Sequence, residues 1–281
     1  MPARKQTPQK PTLGSMIMNL PLQTIGSKIV YVALLLAFLI IGYLFAKVEA
    51  LKGGGPVAAV PTPPAAVAGA QAPAAPVVTL DQVKNVFDKS VIKFGKSDAK
   101  HIVVEAADPS CPYCHAAAGK DPELAKQMGP QFATVAEGGS YVPPVPELKK
   151  LLDQGKISYS YVYVPGHGNG EMGMKAFYCA FENGKFWEVH DLLMSNAGYN
   201  LLNEEVKNDK TKSQQIADFL GSAMDPSTMK ACLDSGKYDT KLTEDTTLAN
   251  GVGASGTPTY YVDANQKVGA LSFTEFEPLL K

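Results

Sequence analysis

The chemistry in this 281-residue chain gathers at Cys111-Pro-Tyr-Cys114, followed directly by His115. That spacing serves three purposes. Two thiols so placed can cycle with a disulfide, can supply half of a zinc site, or, as Cys-x-x-Cys-His, can attach a c-type haem. Zinc needs a second close ligand pair, whereas Cys179 and Cys232 are far apart in sequence and His101, His167 and His190 are scattered. Haem needs a distal ligand, for which nine methionines are on offer. It leaves unexplained, however, the apolar run before the motif and the Gly256-Thr257-Pro258-Thr259 segment far downstream.

The elements around the motif favour redox use. "HIVVEAAD" (101–108) is β-branched and reads as a buried strand. "CHAAAG" is helix-prone, and Pro112 suits a first helical turn, where its missing N–H costs nothing. Cys111 therefore falls where a helix begins. Unpaired amides and the helix dipole there favour an anion, so its thiol is expected to titrate at about 3.5–7.5 instead of about 8.5. Cys114, one turn on, is placed to resolve whatever Cys111 captures. His115 is predicted on the first turn with one side in solvent.

Further elements follow from periodicity. "TLDQVKNVFDKS" (79–90) has helical spacing with Thr79 or Asp81 as cap. "VIKFG" is a short strand, and "KISYSYVYVPG" (156–166) alternates as a strand with one exposed face. A block of helices runs over about 168–250, broken at Asn183-Gly184 and restarted at Asp225-Pro226. In it Phe186, Trp187 and His190 read as core. "GTPTYYVD" and "QKVGAL" are strands, and Ser272-x-x-Glu275 predicts a final helix. "GPQFATVAEGGSYVPPVP" reads as a Gly/Pro-rich loop near the motif. The order predicts one α/β sheet with a helical insertion.

With 26 basic and 27 acidic residues the net charge is −1, so no field draws nucleic acid. "IVYVALLLAFLIIGYLFA" (29–46) holds eighteen uncharged residues, a helix of roughly 27 Å, close to a bilayer's apolar thickness. Basic residues dominate 1–28, so the N-terminus is expected in the cytoplasm and the remainder outside. A cleaved signal peptide is the alternative, with Val48-Glu49-Ala50 as its cleavage site. Residues 47–78 form a Pro/Ala/Gly-rich linker, and 79–281 one globular domain.

A Cys-x-x-Cys opening a helix, a helical insertion and then Gly-Thr-Pro-Thr before an apolar strand resembles the thioredoxin superfamily. Within it, "VVEAADPSCPYCH", "AFYCAFENGKFWEVHDLL" and "DTTLANGVGASGTPTYYV" resemble the DsbA family of thiol:disulfide oxidoreductases. The resemblance implies a thioredoxin-like α/β fold. Cys111 would be the exposed nucleophile and Cys114 the buried resolving cysteine. Pro258 would be the cis-proline, with Thr257 beside the Cys111 sulfur, and Glu105 a buried acid relaying protons. Cys179 and Cys232 would form a non-catalytic disulfide, as in some DsbA relatives, suited to an oxidising compartment. The implied clients are thiol-bearing envelope or secreted proteins, with a DsbB-like quinone-linked partner to reoxidise the pair. No cofactor or metal is expected. The Pro-Tyr dipeptide is that of glutaredoxins, so reductase or isomerase use stands beside oxidation. A binding module with an incidental dithiol is the third expectation.

Overall fold

The computed structural model describes residues 78–281 together with Leu34, residues 38–43 and Lys47. The chain divides into two units, Met1–Ala70 and Gln71–Lys281. The predicted segment 1–28, anchor 29–46 and linker 47–78 lie outside the described residues except at those few positions. Among the described residues no helix is long and apolar enough to cross a membrane.

The second unit opens with α1 (Leu80–Lys89), closed at its start by a capping box between Thr79 and Gln82. β1 (Ile92–Phe94) and β2 (Ile102–Ala107) follow, then α2 (Pro112–Ala118), α3 (Pro122–Met128) and α4 (Pro144–Asp153). β3 (Ser158–Tyr163) leads into the helical insertion: α5 (Glu171–Glu182), α6 (Phe186–Leu193), α7 (Asn196–Asn200), α8 (Ser213–Phe219), α9 (Pro226–Asp234) and α10 (Asp239–Gly251). β4 (Thr259–Val262) and β5 (Asn265–Val268) complete a sheet of order β1-β3-β2-β4-β5. β2 and β3 run parallel; the other pairings are antiparallel.

β2 occupies the centre and is buried along its whole length. Its even residues, Ile102, Val104 and Ala106, face a core layer with Val83, Val86 and Phe87 of α1 and Ala249 of α10. Val103 and Ala107 face the opposite layer, which holds Cys111, Cys114 and the insertion's aromatics. Glu105 follows that odd alternation.

Three expectations are corrected. β3 has no exposed face, since all six residues are buried. Its small serines let the other core layer close over them, and Ser158 Oγ exchanges hydrogen bonds with the backbone of Lys96 at 2.8 Å. The final helix is replaced by two short 3-10 turns, Phe273–Glu275 and Glu277–Leu279. Ser272 Oγ accepts from Val142 N–H at 3.1 Å instead of capping, and Pro278 cannot donate to an α-helical ladder. The Gly/Pro-rich loop has a core of its own: Phe132 and Tyr141, 5.4 Å apart edge to face, pack with Ala116 and Ala125.

Candidate active site

The site begins where β2 leaves the sheet. Cys111 N–H donates to Asp108 O at 3.0 Å, making a tight turn that delivers the cysteine as N-cap of α2. Gly119, at φ 66°, ends the helix after seven residues in a left-handed conformation that suits glycine. The Thr257–Pro258 bond is cis, and the Cys111 thiol donates to the Thr257 carbonyl at 3.5 Å.

Cys111 and Cys114 are both free thiols. A hydrogen bond from Cys114 lowers the Cys111 thiol to about 6, acting against burial. Thr257 and the amides of Cys114 and Tyr113 add to the effect. The thiol is therefore largely ionised at neutral pH, as a helix start predicts. Cys114 moves the other way, pushed up by burial and by its neighbour. One sulfur is ready to attack, while the other keeps its proton.

The exposed nucleophile implied by the resemblance is not what the structure holds. Cys111 is only 4% exposed, whereas Tyr113 stands half out of the surface. The turn before the sulfur is pinned from outside: Ser110 Oγ accepts from Asn169 N–H at 3.2 Å, and Ser110 O from Asn203 Nδ2 at 3.1 Å.

Glu105 is 1% exposed on the layer that carries the cysteines. Tyr159 OH donates to one carboxylate oxygen and Tyr260 OH to the other, the latter at 3.1 Å. Burial outweighs both bonds and raises the carboxyl from 4.5 to about 7. Its charge is among the influences that raise Cys114, so the two groups sense each other. A carboxyl titrating near neutrality can give or take a proton there.

Several contributors lay outside the sequence reading. Asp108 Oδ1 accepts from Ser110 N–H and Oγ, while Oδ2 accepts from Gly166 N–H and His167 N–H, both at 2.8 Å. It staples the nucleophile turn to the loop after β3. That loop needs its glycines: a Cβ on Gly166 would collide with Thr257 Oγ1, and one on Gly170 with Asp108 Oδ1. The Gly-rich run 166–170 and the Asp-Pro-Ser turn were the available signals. His115 is fully buried, contrary to expectation, with Nε2 donating to Pro109 O at 2.9 Å. Burial pushes its imidazolium down. A ring so enclosed and engaged is not placed to ligate a haem iron.

Cys179 on α5 and Cys232 on α9 are joined in a disulfide with Cα atoms 6.0 Å apart. His190 and Phe186 are buried and Trp187 packs against them, as core. Among the described residues no three His, Cys, Asp or Glu side chains converge to hold a metal ion.

The family described as "DSBA-like thioredoxin domain" matches residues 157–281. Those residues are similar to that family. The matched segment contains Pro258 but begins after the Cys-x-x-Cys motif; β2, paired on both sides with strands of that segment, brings the cysteines into it. Two variants of alpha-DsbA1 from Wolbachia pipientis are similar in fold. One has a TM-score of 0.51 at 16% identity, covering 72% of this chain and 94% of that one. The other scores 0.50 at 17% identity, covering 70% and 94%. Among curated proteins, the chain is 27% identical over 183 residues to the Na(+)/H(+) antiporter NhaA 1 of Salinispora arenicola, covering 63% of this chain. It matches only 22% of that protein's length. The Cys111–Cys114 dithiol thus lies in a thioredoxin-like fold, part of which, residues 157–281, is similar to the DSBA-like family.

Proposed function

We propose that this chain is a thiol:disulfide oxidoreductase that works as an oxidant, introducing disulfides into thiol-bearing proteins outside the cytoplasm. The observation that carries this reading is the Cys111 thiol held near 6, because a stabilised thiolate stabilises the reduced enzyme and so makes its disulfide a stronger oxidant. In the oxidised enzyme, a client thiolate attacks Cys111 Sγ of the Cys111–Cys114 disulfide. A client–Cys111 mixed disulfide forms, and Cys114 leaves as a thiolate. Glu105, in its acid form, is the proton source for that leaving group. A second client thiolate then attacks the client sulfur and releases Cys111 as a thiolate. Two electrons pass to the enzyme; the client loses two thiol protons and gains one disulfide.

The Thr257 backbone, facing the sulfur, offers an extended client segment a place to pair. Reoxidation calls for a two-electron acceptor, for which a membrane quinone-linked partner of DsbB type fits. The uncharged run 29–46 and the linker 47–78 support tethering to a membrane, with the domain on the non-cytoplasmic side. The Cys179–Cys232 disulfide suits such a compartment.

Equilibration of the Cys111–Cys114 pair with glutathione tests the direction of electron flow. A potential nearer about −120 mV than about −270 mV is expected, and one at the lower end assigns the pair to reduction. In a Cys114→Ala variant, mixed disulfides with clients should accumulate on Cys111. A client-free Cys111 under oxidising conditions points to the binding-module reading. After a membrane-impermeant reductant has opened the pair in intact cells, membrane-impermeant thiol reagents should label Cys111; labelling only after lysis refutes the placement.

A further inference from the structure

In the exchange proposed above, Glu105 has to regain the proton it gives. When a client is oxidised, Glu105 protonates the departing Cys114 sulfur and becomes a carboxylate. When the pair is oxidised again, Cys114 loses that proton as its sulfur rejoins Cys111, and the carboxylate takes it back. Burial opposes this second half of the cycle, because a dry site disfavours the carboxylate. A cation beside Glu105 would offset the penalty, but the titratable side chains in its field, among the described residues, supply none. They are Tyr159 and Tyr161 of β3, Tyr260 of β4, Cys114 of α2 and Tyr141 of the loop before α4. Burial pushes every one of them up, so each is a neutral acid at neutral pH.

Strand pairing brings three of the phenols to Glu105. The carboxyl's residue lies opposite Tyr161 in the parallel β2–β3 register and opposite Tyr260 in the antiparallel β2–β4 register. Directly paired residues share a face of a sheet, so the three form a row across its centre. Tyr159, two residues before Tyr161, stands on the same face of β3. Their hydroxyls differ. Tyr159 OH donates to Glu105 Oε2 and Tyr260 OH to Oε1, whereas Tyr161 OH has no hydrogen-bond partner among the described residues.

We infer that Tyr159 and Tyr260 are positioning residues of the exchange: their two hydroxyls do for Glu105 what a cation would, keeping its carboxylate form available to Cys114. This rests on Glu105 being the proton source for Cys114. The two shares are unequal. At 3.1 Å the Tyr260 bond is long for a hydroxyl donor, so Tyr159 contributes more. Each ring is fixed by a neighbour, Tyr159 by Trp187 at 5.6 Å and Tyr260 by Phe276, edge-on at 5.1 Å. Tyr161 shares the row but adds no bond, and is the internal control.

The test uses the full-length protein with Tyr→Phe changes, which keep each ring and remove only the hydroxyl. Glu105 is titrated through its carboxyl infrared band in the reduced protein, with Glu105→Gln as the blank. Tyr159→Phe should raise the midpoint by about 1–2 units above 7, Tyr260→Phe by less than about one, and Tyr161→Phe hardly at all. The chemistry should follow. Cys114 should resolve a Cys111–glutathione mixed disulfide at a rate that climbs with pH through about 7, and Tyr159→Phe should move that profile upward. A Glu105 midpoint unmoved by Tyr159→Phe, or moved as far by Tyr161→Phe, overturns the inference and leaves the dithiol chemistry intact. If the unaltered protein fails to resolve the mixed disulfide, the oxidoreductase reading falls, and this inference with it. A readout free of folding effects is the Tyr159 hydroxyl proton in the unaltered protein. Its resonance should move downfield as Glu105 ionises, and one indifferent to that titration refutes the role.

Discussion

The chain carries two cysteine pairs in one continuous core, and the most exposed of the four residues belongs to the bonded pair: Cys232 is 9% exposed and Cys111 4%. Burial therefore does not rank their reactivity. What differs is the company each sulfur keeps. Cys111 faces the Cys114 thiol, the Thr257 side chain and amides at the start of α2, with Glu105 placed to exchange protons near Cys114. Cys179 and Cys232 sit on two helices of the insertion, in a core of aliphatic and aromatic side chains, and close a covalent loop across it. Polar donors, not access to solvent, separate the reactive pair from the structural one.

The sharpest break in that comparison is at turnover. Cys111→Ser should reduce dithiol oxidation to background, a loss of about 10³-fold or more. A Cys179→Ala/Cys232→Ala variant should keep its rate within about twofold at a temperature where it remains folded. A rate lost in the second variant would mean the insertion's disulfide takes part in exchange.

Stability should respond in the opposite sense. Removing the Cys179–Cys232 link, which spans 53 residues, should cost about 4 kcal/mol in denaturant unfolding. A much smaller loss would show that the helices hold together without it.

Glu105 supplies the next effect. Its folded value near 7 stands above its ordinary 4.5, so the acid form is the one that the fold favours. The Glu105 contribution to stability is complete below about pH 4.5 and is lost, by about 3 kcal/mol, as pH rises through 7. Glu105→Gln should flatten that fall, measured as denaturant midpoints at about pH 5 and about pH 8. An unchanged slope would remove Glu105 as a neutral-pH proton carrier. The smallest shift concerns the thiol itself. Cys114→Ala removes its strongest stabilising contact, so alkylation of Cys111 should titrate about 1–2 units above 6.

Local chemistry was legible wherever a residue's role rests on its immediate neighbours in the chain. Cys-Pro-Tyr-Cys after a β-branched run, the Thr79 cap and the Asp225-Pro226 helix start all act within a turn or two. Misreadings arose where a distant segment decides. Ser158 and Ser160 alternate with tyrosines as an exposed face would, yet α1 and α10 close over that side. Ser272 begins a capping box in sequence, but Val142, far away in the chain, takes its hydroxyl. His115 looks like a surface helix residue until α3 and α7 cover it.

By itself the amino-acid order determined that a dithiol would open a helix behind a buried strand, because propensity, proline placement and spacing are properties of a dozen contiguous residues. Only the tertiary structure decided that Thr257 and Glu105 would meet that dithiol, that Asp108 would staple two loops beneath it, and that Cys179 would find Cys232. Those outcomes depend on how strands pair and layers close. Hydrogen bonding and desolvation then set the proton affinity of each group, and neither can be read from a residue's neighbours in sequence.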